Sequence, residues 1–418
     1  MRVAVVGSGI SGLTCAYYLS KHHEVTVFEA SRRIGGHTAT VDVQLGPRKY
    51  AIDTGFIAYN DWTYPNFINL LNEIGVSSKP TSMGFSVKDA ASGLEYSDYS
   101  LRTLFAQKRN LLSPKFLRMV LDIASFNKQA LKDLELGHIQ PHQTLESYRC
   151  QKGFSDSFKQ WYLTPMASAI WSTPWRDVDA LPALFVLRLF KSHGLLSMSN
   201  RPQWRVVDGG SREYLGPLTA RFADRIITNA PVKNVLRRPD RVQFTAGGVA
   251  HEFDQIVIAT HSDQALAMLA DPTPLEDSIL GAIPYQRNHV VLHTDSRLLP
   301  ANRAAWASWN YTLKPKQDRA VVTYNMNLLQ GLQSPETFCV TLNNKDDINP
   351  HRILGEFYHE QPIFSLNSAL AQKRWGEING MNNTWYCGAY WHSGLHEDGV
   401  CSALRIAQTI PERQQAAA

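Results

Sequence analysis

The stretch "RVAVVGSGISGLTCAYYLSKHHEVTVFEA", residues 2–30, restricts the possible fold more than any other part of the chain. Residues 2–6 form a short, valine-rich run, the mark of a strand buried in a parallel sheet. Gly7, Gly9 and Gly12 follow in a G-x-G-x-x-G spacing. Gly7 allows the tight turn, Gly9 lets a pyrophosphate approach the backbone, and Gly12 lets the next helix pack closely on the strand. Residues 11–23, opening with Ser11, read as that helix, whose N-terminus favours phosphate charge. A second strand over 24–30 ends in Glu29 and Ala30. Glu29 lies 17 residues past Gly12 (29 − 12), where a carboxylate accepts hydrogen bonds from ribose hydroxyls and repels a 2′-phosphate. Strand, turn, helix, strand and acid in this order predict a dinucleotide site that disfavours NADP.

A second glycine pair follows in "RRIGGHTAT", where Gly35 and Gly36 are flanked by Arg33 and His37. The segment resembles the R-x-G-G-x-x-x-T signature of FAD proteins in the flavin amine oxidase and phytoene desaturase superfamily. The resemblance implies non-covalent FAD. In it Gly35 and Gly36 bring amides to the pyrophosphate, and Arg33 adds positive charge beside it. Thr38, Thr54 and Gly55 join the same site. This chain has His37 where the superfamily commonly has Arg. The plainer reading of the pair is an ordinary Gly-Gly turn.

Three later segments extend the resemblance. "VDGGSREYL" (207–215) is similar to the element at which the chain returns to the nucleotide domain. "NAPVKNV" (229–235) with "FDQIVIAT" (253–260) resembles a strand pair closing around the adenine, with Val232 meeting the base. "WYCGAYWHSGLHEDGVCSALRIA" (385–407) resembles the C-terminal flavin motif. There Gly388 ends a strand, and a helix starting near "EDGV", including Val400, aims its amides at the flavin and pyrophosphate. Ala389 stands where the superfamily usually has an acid, which leaves Glu397 and Asp398 as the nearby carboxylates. Cys387 reads as a small buried hydrophobe rather than a covalent flavin attachment.

The expected architecture is therefore α/β, a Rossmann-like FAD-binding domain interleaved with a substrate domain of mixed sheet and helices. Residues 1–75, 205–260 and 375–418 would form the first, and 76–204 with 261–374 the second. At 418 residues the chain exceeds the usual single-core limit, which makes two packed domains the natural expectation. Five cysteines occur without C-x-x-C or metal-ligand spacing, so neither dithiol chemistry nor a metal site is expected. A net charge of +5 is too small to argue for nucleic acid. The basic, apolar N-terminus reads as strand and turn, not as an export signal. The expected location is cytoplasmic, with peripheral contact at the inner membrane surface.

Two segments motivate that contact. Residues 100–134 and 185–196 combine apolar periodicity with Lys and Arg, as amphipathic helices lying on anionic lipid do; a solvated helix face is the plainer alternative. Residues 288–295, 306–313 and 319–329 read as strands flooring a substrate cavity. Trp171, Trp175, Trp306, Trp309, Tyr311, Tyr324, Tyr386 and Trp391 are its candidate aromatic lining. His193, His289 and His392 are candidate general bases, with Tyr386 and Trp391 candidate rings at the reacting centre. Lys314 and Lys316 fall in an expected loop.

Over nearly its full length the chain resembles a bacterial subgroup of predicted FAD-dependent oxidoreductases, through "TGFIAYN", "FAQKRNLL", "RPQWRVVDGGSREY", "WASWNY" and the C-terminal motif. That subgroup is associated with cyclopropane-fatty-acyl-phospholipid synthases and furan fatty acid formation. The resemblance implies dehydrogenation of a methylated or cyclopropanated lipid acyl chain, with a lipid methyltransferase or cyclopropane synthase as functional partner. The alternatives are an amine oxidase and a non-catalytic flavoprotein docking on a membrane or lipid-modifying enzyme.

Overall fold

The computed structural model describes residues 1–171, 174–197, 200–314 and 321–410. The Trp171 side chain, Lys316 and the tail from 411 lie outside the described residues. The strand β1 (Arg2–Val6) occupies the centre of a five-stranded parallel sheet. Its neighbours are β2 (Glu24–Phe28) on one side and Gln255–Ile258 on the other, with Ile226–Ile227 and Thr384–Tyr386 at the edges. Val3, Ala4 and Val5 are wholly buried, as a strand covered on both faces requires. The helix α1 (Ile10–Leu19) packs on the C-terminal helix His396–Thr409.

The turn joining β1 to α1 is closed by absence of side chains. Gly7 adopts φ +100°, and a Cβ on Gly12 would stand 2.0 Å from the Gly7 carbonyl oxygen. Any larger residue at position 12 would push α1 off the sheet.

One expectation about this half is corrected. Val232–Arg237 and Gln255–Ile258 are not paired. The first belongs to an antiparallel three-stranded meander with Val242–Ala246 and Val249–Phe253, whereas the second joins β1. Phe28 meets Phe244 and Phe253 of the meander edge-to-face, so aromatic packing joins the two sheets.

A seven-stranded mixed sheet forms the other half, in the order Ile353–Pro362, Tyr285–His293, Cys339–Leu342, Val322–Asn325, Trp309–Leu313, Phe85–Asp89, Glu95–Ser97. The expected strand over 319–329 is shorter, because the Asn325 side chain accepts from the Leu328 amide and starts a helical turn. The expected helix over 100–134 is three pieces: Leu101–Leu104, a 3-10 turn Lys108–Leu112 and the helix Pro114–Glu135. Ser113 accepts from the Phe116 amide, and Pro114 suits the first helical turn, so a new helix begins there. The second basic segment is also corrected. In Ala183–Ser192, Val186, Leu187, Leu189 and Phe190 are buried in the core of the substrate half, so it offers no open amphipathic face.

Tyr386 and Trp391 belong to the core. The Tyr386 hydroxyl donates to Glu276 at 2.5 Å, while Glu276 and Asp271 together hold the Arg237 guanidinium. Trp391 donates its indole N–H to the Tyr386 carbonyl at 2.8 Å. Breaking such a buried pair leaves a charge partly uncompensated. Glu276→Gln should lower unfolding free energy by about 2–4 kcal/mol in denaturant titrations. Tyr386→Phe should cost about 1 kcal/mol and leave cofactor content unchanged.

Candidate cofactor and substrate site

A cavity of about 630 Å³ opens at the carboxyl ends of the parallel strands and runs into the second half of the molecule. Parallel α/β sheets place ligands at this edge. Of the residues singled out in the sequence, Gly7, Gly9, Ser11, Glu29, Ala30, Gly36, His37, Gly55, Val232 and Gly388 line it.

The geometry at Gly9 separates room from conformation. Its φ is −69°, which any residue adopts, yet nothing lies within 4 Å of where its Cβ would be. Glycine here leaves open space over the N-terminus of α1, where unpaired amides attract an anion. Gly36 closes the other side: at φ +56°, its Cβ would stand 3.0 Å from the Gly9 Cα. The Gly35 amide donates to the Ser8 carbonyl at 2.9 Å, which ties the second glycine turn to the first.

Glu29 is oriented before any ligand arrives. The Ser8 and Ser31 amides donate to its two carboxylate oxygens at 3.0 and 2.8 Å, and both serine hydroxyls do the same. The amides fix the carboxylate, and the rotatable hydroxyls are the partners that a ribose diol can displace or share.

Several expected site residues act from behind the wall. Arg33 does not present a free charge to the cavity. Its guanidinium donates to the carbonyls of Ile34, Gly36 and Thr38, clamping the glycine turn. Thr38 hydrogen-bonds the Tyr214 hydroxyl, which in turn meets His396 Nε2 at 2.9 Å. The Thr54 amide donates to Ala39 at 2.7 Å, and Val400 is wholly buried in its helix. Glu397 accepts from the Asn66 and Phe67 amides at 3.0 and 2.9 Å, so it caps the helix Pro65–Glu73 and does not face the cavity. Asp398 turns back onto the Ser393 and Leu395 amides. Cys387 is buried, its thiol 3.8 Å from the Ser11 carbonyl.

Of the candidate bases only His193 reaches the cavity. Its Nδ1 lies 3.1 Å from both the Leu189 carbonyl and the Ser192 hydroxyl; the carbonyl, an acceptor only, favours a proton on Nδ1 and a lone pair on Nε2. Burial lowers its pKa. His392, Tyr386 and Trp391 are not on the cavity wall. His289 pairs with Glu356 at 3.0 Å, and Lys314 with Asp347 at 2.6 Å. Among the expected aromatic lining, Trp309 and Tyr324 are on the wall.

Sequence reasoning missed a histidine group that only the sheets assemble. The His37 ring centre lies 5.1 Å from that of His359 and 6.2 Å from that of His261, and the His37 Nε2 is buried without a partner. His396 stacks on Phe56 at 3.6 Å. Burial, then the neighbouring His359 and His261, hold His37 down near pH 3; burial and His37 do the same to His396. Also missed was buried Asp53, which accepts from the Ser211 amide and from Thr40 and so anchors residues 209–211. Burial raises its pKa to about 6.

These features fit FAD. Open space above Gly9, a pre-set carboxylate at Glu29 and an unpartnered ring nitrogen at His37 are what a dinucleotide would fill. Gly55, Val232 and Gly388 continue the same wall toward the second half.

Acid stability should follow the histidines. A folded pKa below the unfolded value of about 6.5 gives stability that is full above pH 6.5 and lost toward pH 3. Asp53 has the opposite sign, losing stability as pH rises from about 4 through 6. Thermal melts should show the midpoint falling from pH 6.5 to 4, and His37→Asn with His396→Asn should flatten that fall.

Comparisons agree with this geometry. Residues 10–303 match the family model described as flavin containing amine oxidoreductase. The AofH protein of Mycobacterium tuberculosis, named as a flavin-containing monoamine oxidase, is 24% identical over 287 residues. That match covers 65% of this chain and 59% of AofH, so the chain spans about three fifths of that relative's length. An L-amino-acid oxidase of Sistrurus catenatus edwardsii is 28% identical over 165 residues, 34% of this chain and 31% of that protein. Among solved structures, cyclohexylamine oxidase from Brevibacterium oxydans superimposes with a TM-score of 0.70 at 16% identity, covering 97% of this chain and 98% of its own. A fatty acid isomerase from P. acnes gives 0.69 at 14% identity, covering 98% and 99%. At such identities the structures share the fold.

Proposed function

Because the chain belongs to the flavin containing amine oxidoreductase family, we propose that it is an FAD-dependent dehydrogenase of an apolar lipid acyl chain. Its substrate in the most specific form of this reading is a methylated or cyclopropanated phospholipid chain. A lipid methyltransferase or cyclopropane synthase would then supply it.

The observation that carries the reading is the wall beyond the glycine turns. Met83, Phe85, Met166, Ile170, Leu189 and Leu195 line that end. Among the described residues three carboxylates line the cavity, and Glu29 and Asp98 are engaged. Glu29 is held by its serines, Asp98 accepts from the Phe85 amide and faces Arg201 at 3.6 Å, and Glu360 lies 3.3 Å from His261. Only Glu360, part-exposed beside a neutral His261, offers an ammonium group a carboxylate, while a hydrocarbon chain loses nothing by desolvation. The fold neighbours include both amine oxidases and a fatty acid isomerase, so the fold is compatible with either substrate.

FAD, when bound, supplies the acceptor for a hydride leaving a substrate carbon. The chain's own groups orient the substrate, exclude water and take the proton lost from the adjacent carbon. In this reading His193 Nε2, on the cavity wall, receives that proton. Thr63 Oγ1, 3.5 Å from Nε2, faces the same nitrogen.

The test is anaerobic mixing of the FAD-loaded protein with phospholipids bearing cyclopropanated or methylated chains, beside putrescine and cyclohexylamine. Flavin bleaching by lipid alone is expected, and His193→Gln should slow it by about 10²-fold or more. Bleaching by amines alone would replace this reading with an amine oxidase. No bleaching by either would favour a non-catalytic docking flavoprotein.

A further inference from the structure

Residues 99–121 leave an unusual amount of hydrocarbon in solvent. Leu112 is 86% exposed, Leu101 72%, Leu121 67%, Tyr99 64% and Leu111 51%, and Leu117 is also exposed. These side chains do not come from one helical stripe. They are gathered by the Leu101–Leu104 turn, the 3-10 turn Lys108–Leu112 and the first two turns of Pro114–Glu135. The core-facing side of the same segment is satisfied: Phe116 and Met119 are wholly buried. Exposed leucines clustered in this way mark a surface that meets something apolar.

Charge identifies what that is. Between 99 and 121 the sequence carries Arg102, Lys108, Arg109, Lys115 and Arg118 and no Asp or Glu. Arg109 donates to the Gly93 carbonyl and Arg118 pairs with Asp122. Arg102, Lys108 and Lys115 are exposed beside the leucines. Apolar side chains ringed by cations suit a bilayer interface, where the leucines enter the acyl boundary and the cations meet lipid phosphates. A second copy of the chain would bring like charges together at the same face.

We propose that this face docks on an anionic bilayer and opens the cavity directly onto it. The link to the cavity is short. Asp98 and Gly84 line the cavity, and the adjacent Tyr99 ring lies 3.8 Å from where a Gly84 Cβ would stand. An acyl chain leaving the bilayer at this rim meets the apolar end of the cavity first and stays out of water. The placement deepens the acyl-chain reading, but docking is measured without any turnover.

The holoprotein is sedimented with vesicles of phosphatidylglycerol and phosphatidylethanolamine, and separately with phosphatidylcholine alone. Native protein should pellet with the anionic vesicles, remain largely in solution with the neutral ones, and be released by high salt. Leu112→Asp with Leu121→Asp should weaken binding by roughly tenfold or more, and Lys108→Glu with Lys115→Glu by a similar factor. All these positions are exposed, so bound flavin and the melting midpoint should match the native protein. The proposal is overturned if native protein ignores anionic vesicles, or if both variants bind as well as native. It is equally overturned if gel filtration shows the leucine variant converting a dimer to a monomer. Docking without lipid-dependent flavin bleaching would defeat the acyl-chain reading alone; bleaching by dispersed lipid without docking would defeat this one alone.

Discussion

The site depends on one contact without side chains. Gly12 sits so close to the Gly7 carbonyl that no Cβ fits between them. That closeness aims the N-terminus of α1 across the carboxyl ends of the strands, where its free amides form a positive lip. The second glycine turn bonds to the first through Ser8, and Arg33 holds the second turn from behind. Ser8 also reaches Glu29, so two turns and the acid at the end of β2 share one anchor. The cradle is stiff before a ligand enters, which lowers the ordering cost of binding.

Much of this half was legible in the sequence because its signals are local. The valine run, the glycine spacing and the acid at the end of β2 fall within 29 residues (2–30). The α/β fold and the mixed second sheet follow from such patterns. Arg33 was misread because its sequence position gives proximity to the phosphates but not the direction of its guanidinium. Glu397 and Asp398 were misread for a related reason. Acids in the first turn of a helix serve that helix or its neighbours before they serve a ligand. Tyr386 and Trp391 sit beside a cofactor glycine in sequence, yet strand alternation turns the Tyr386 ring into the core with Arg237 and Glu276.

The histidine group carried no local signal. His37, His261 and His359 come from a loop after β2, the cap of the helix Ser262–Met268 and the edge strand of the mixed sheet. Only the packing of the two halves brings them together. Burial keeps their rings neutral, so an anion at the cavity wall would meet them as hydrogen-bonding dipoles and not as cations. The positive field at the N-terminus of α1 then rests chiefly on backbone amides. Beyond them the cavity wall becomes apolar, with Met83, Phe85, Met166, Ile170 and Leu189 along it.

The central claim is that the open space above Gly9 is kept for the cofactor. Calorimetric titration of FAD into the apoprotein and into Gly9→Val tests it most directly. Residue 9 has ordinary extended dihedrals and no neighbour within 4 Å of a Cβ, so the variant should fold with a native melting midpoint. One FAD per chain should bind the native apoprotein, and the variant should bind at least about 100-fold more weakly, the effect of roughly 2.7 kcal/mol. Equal binding by a folded Gly9→Val would mean that the cradle lies elsewhere.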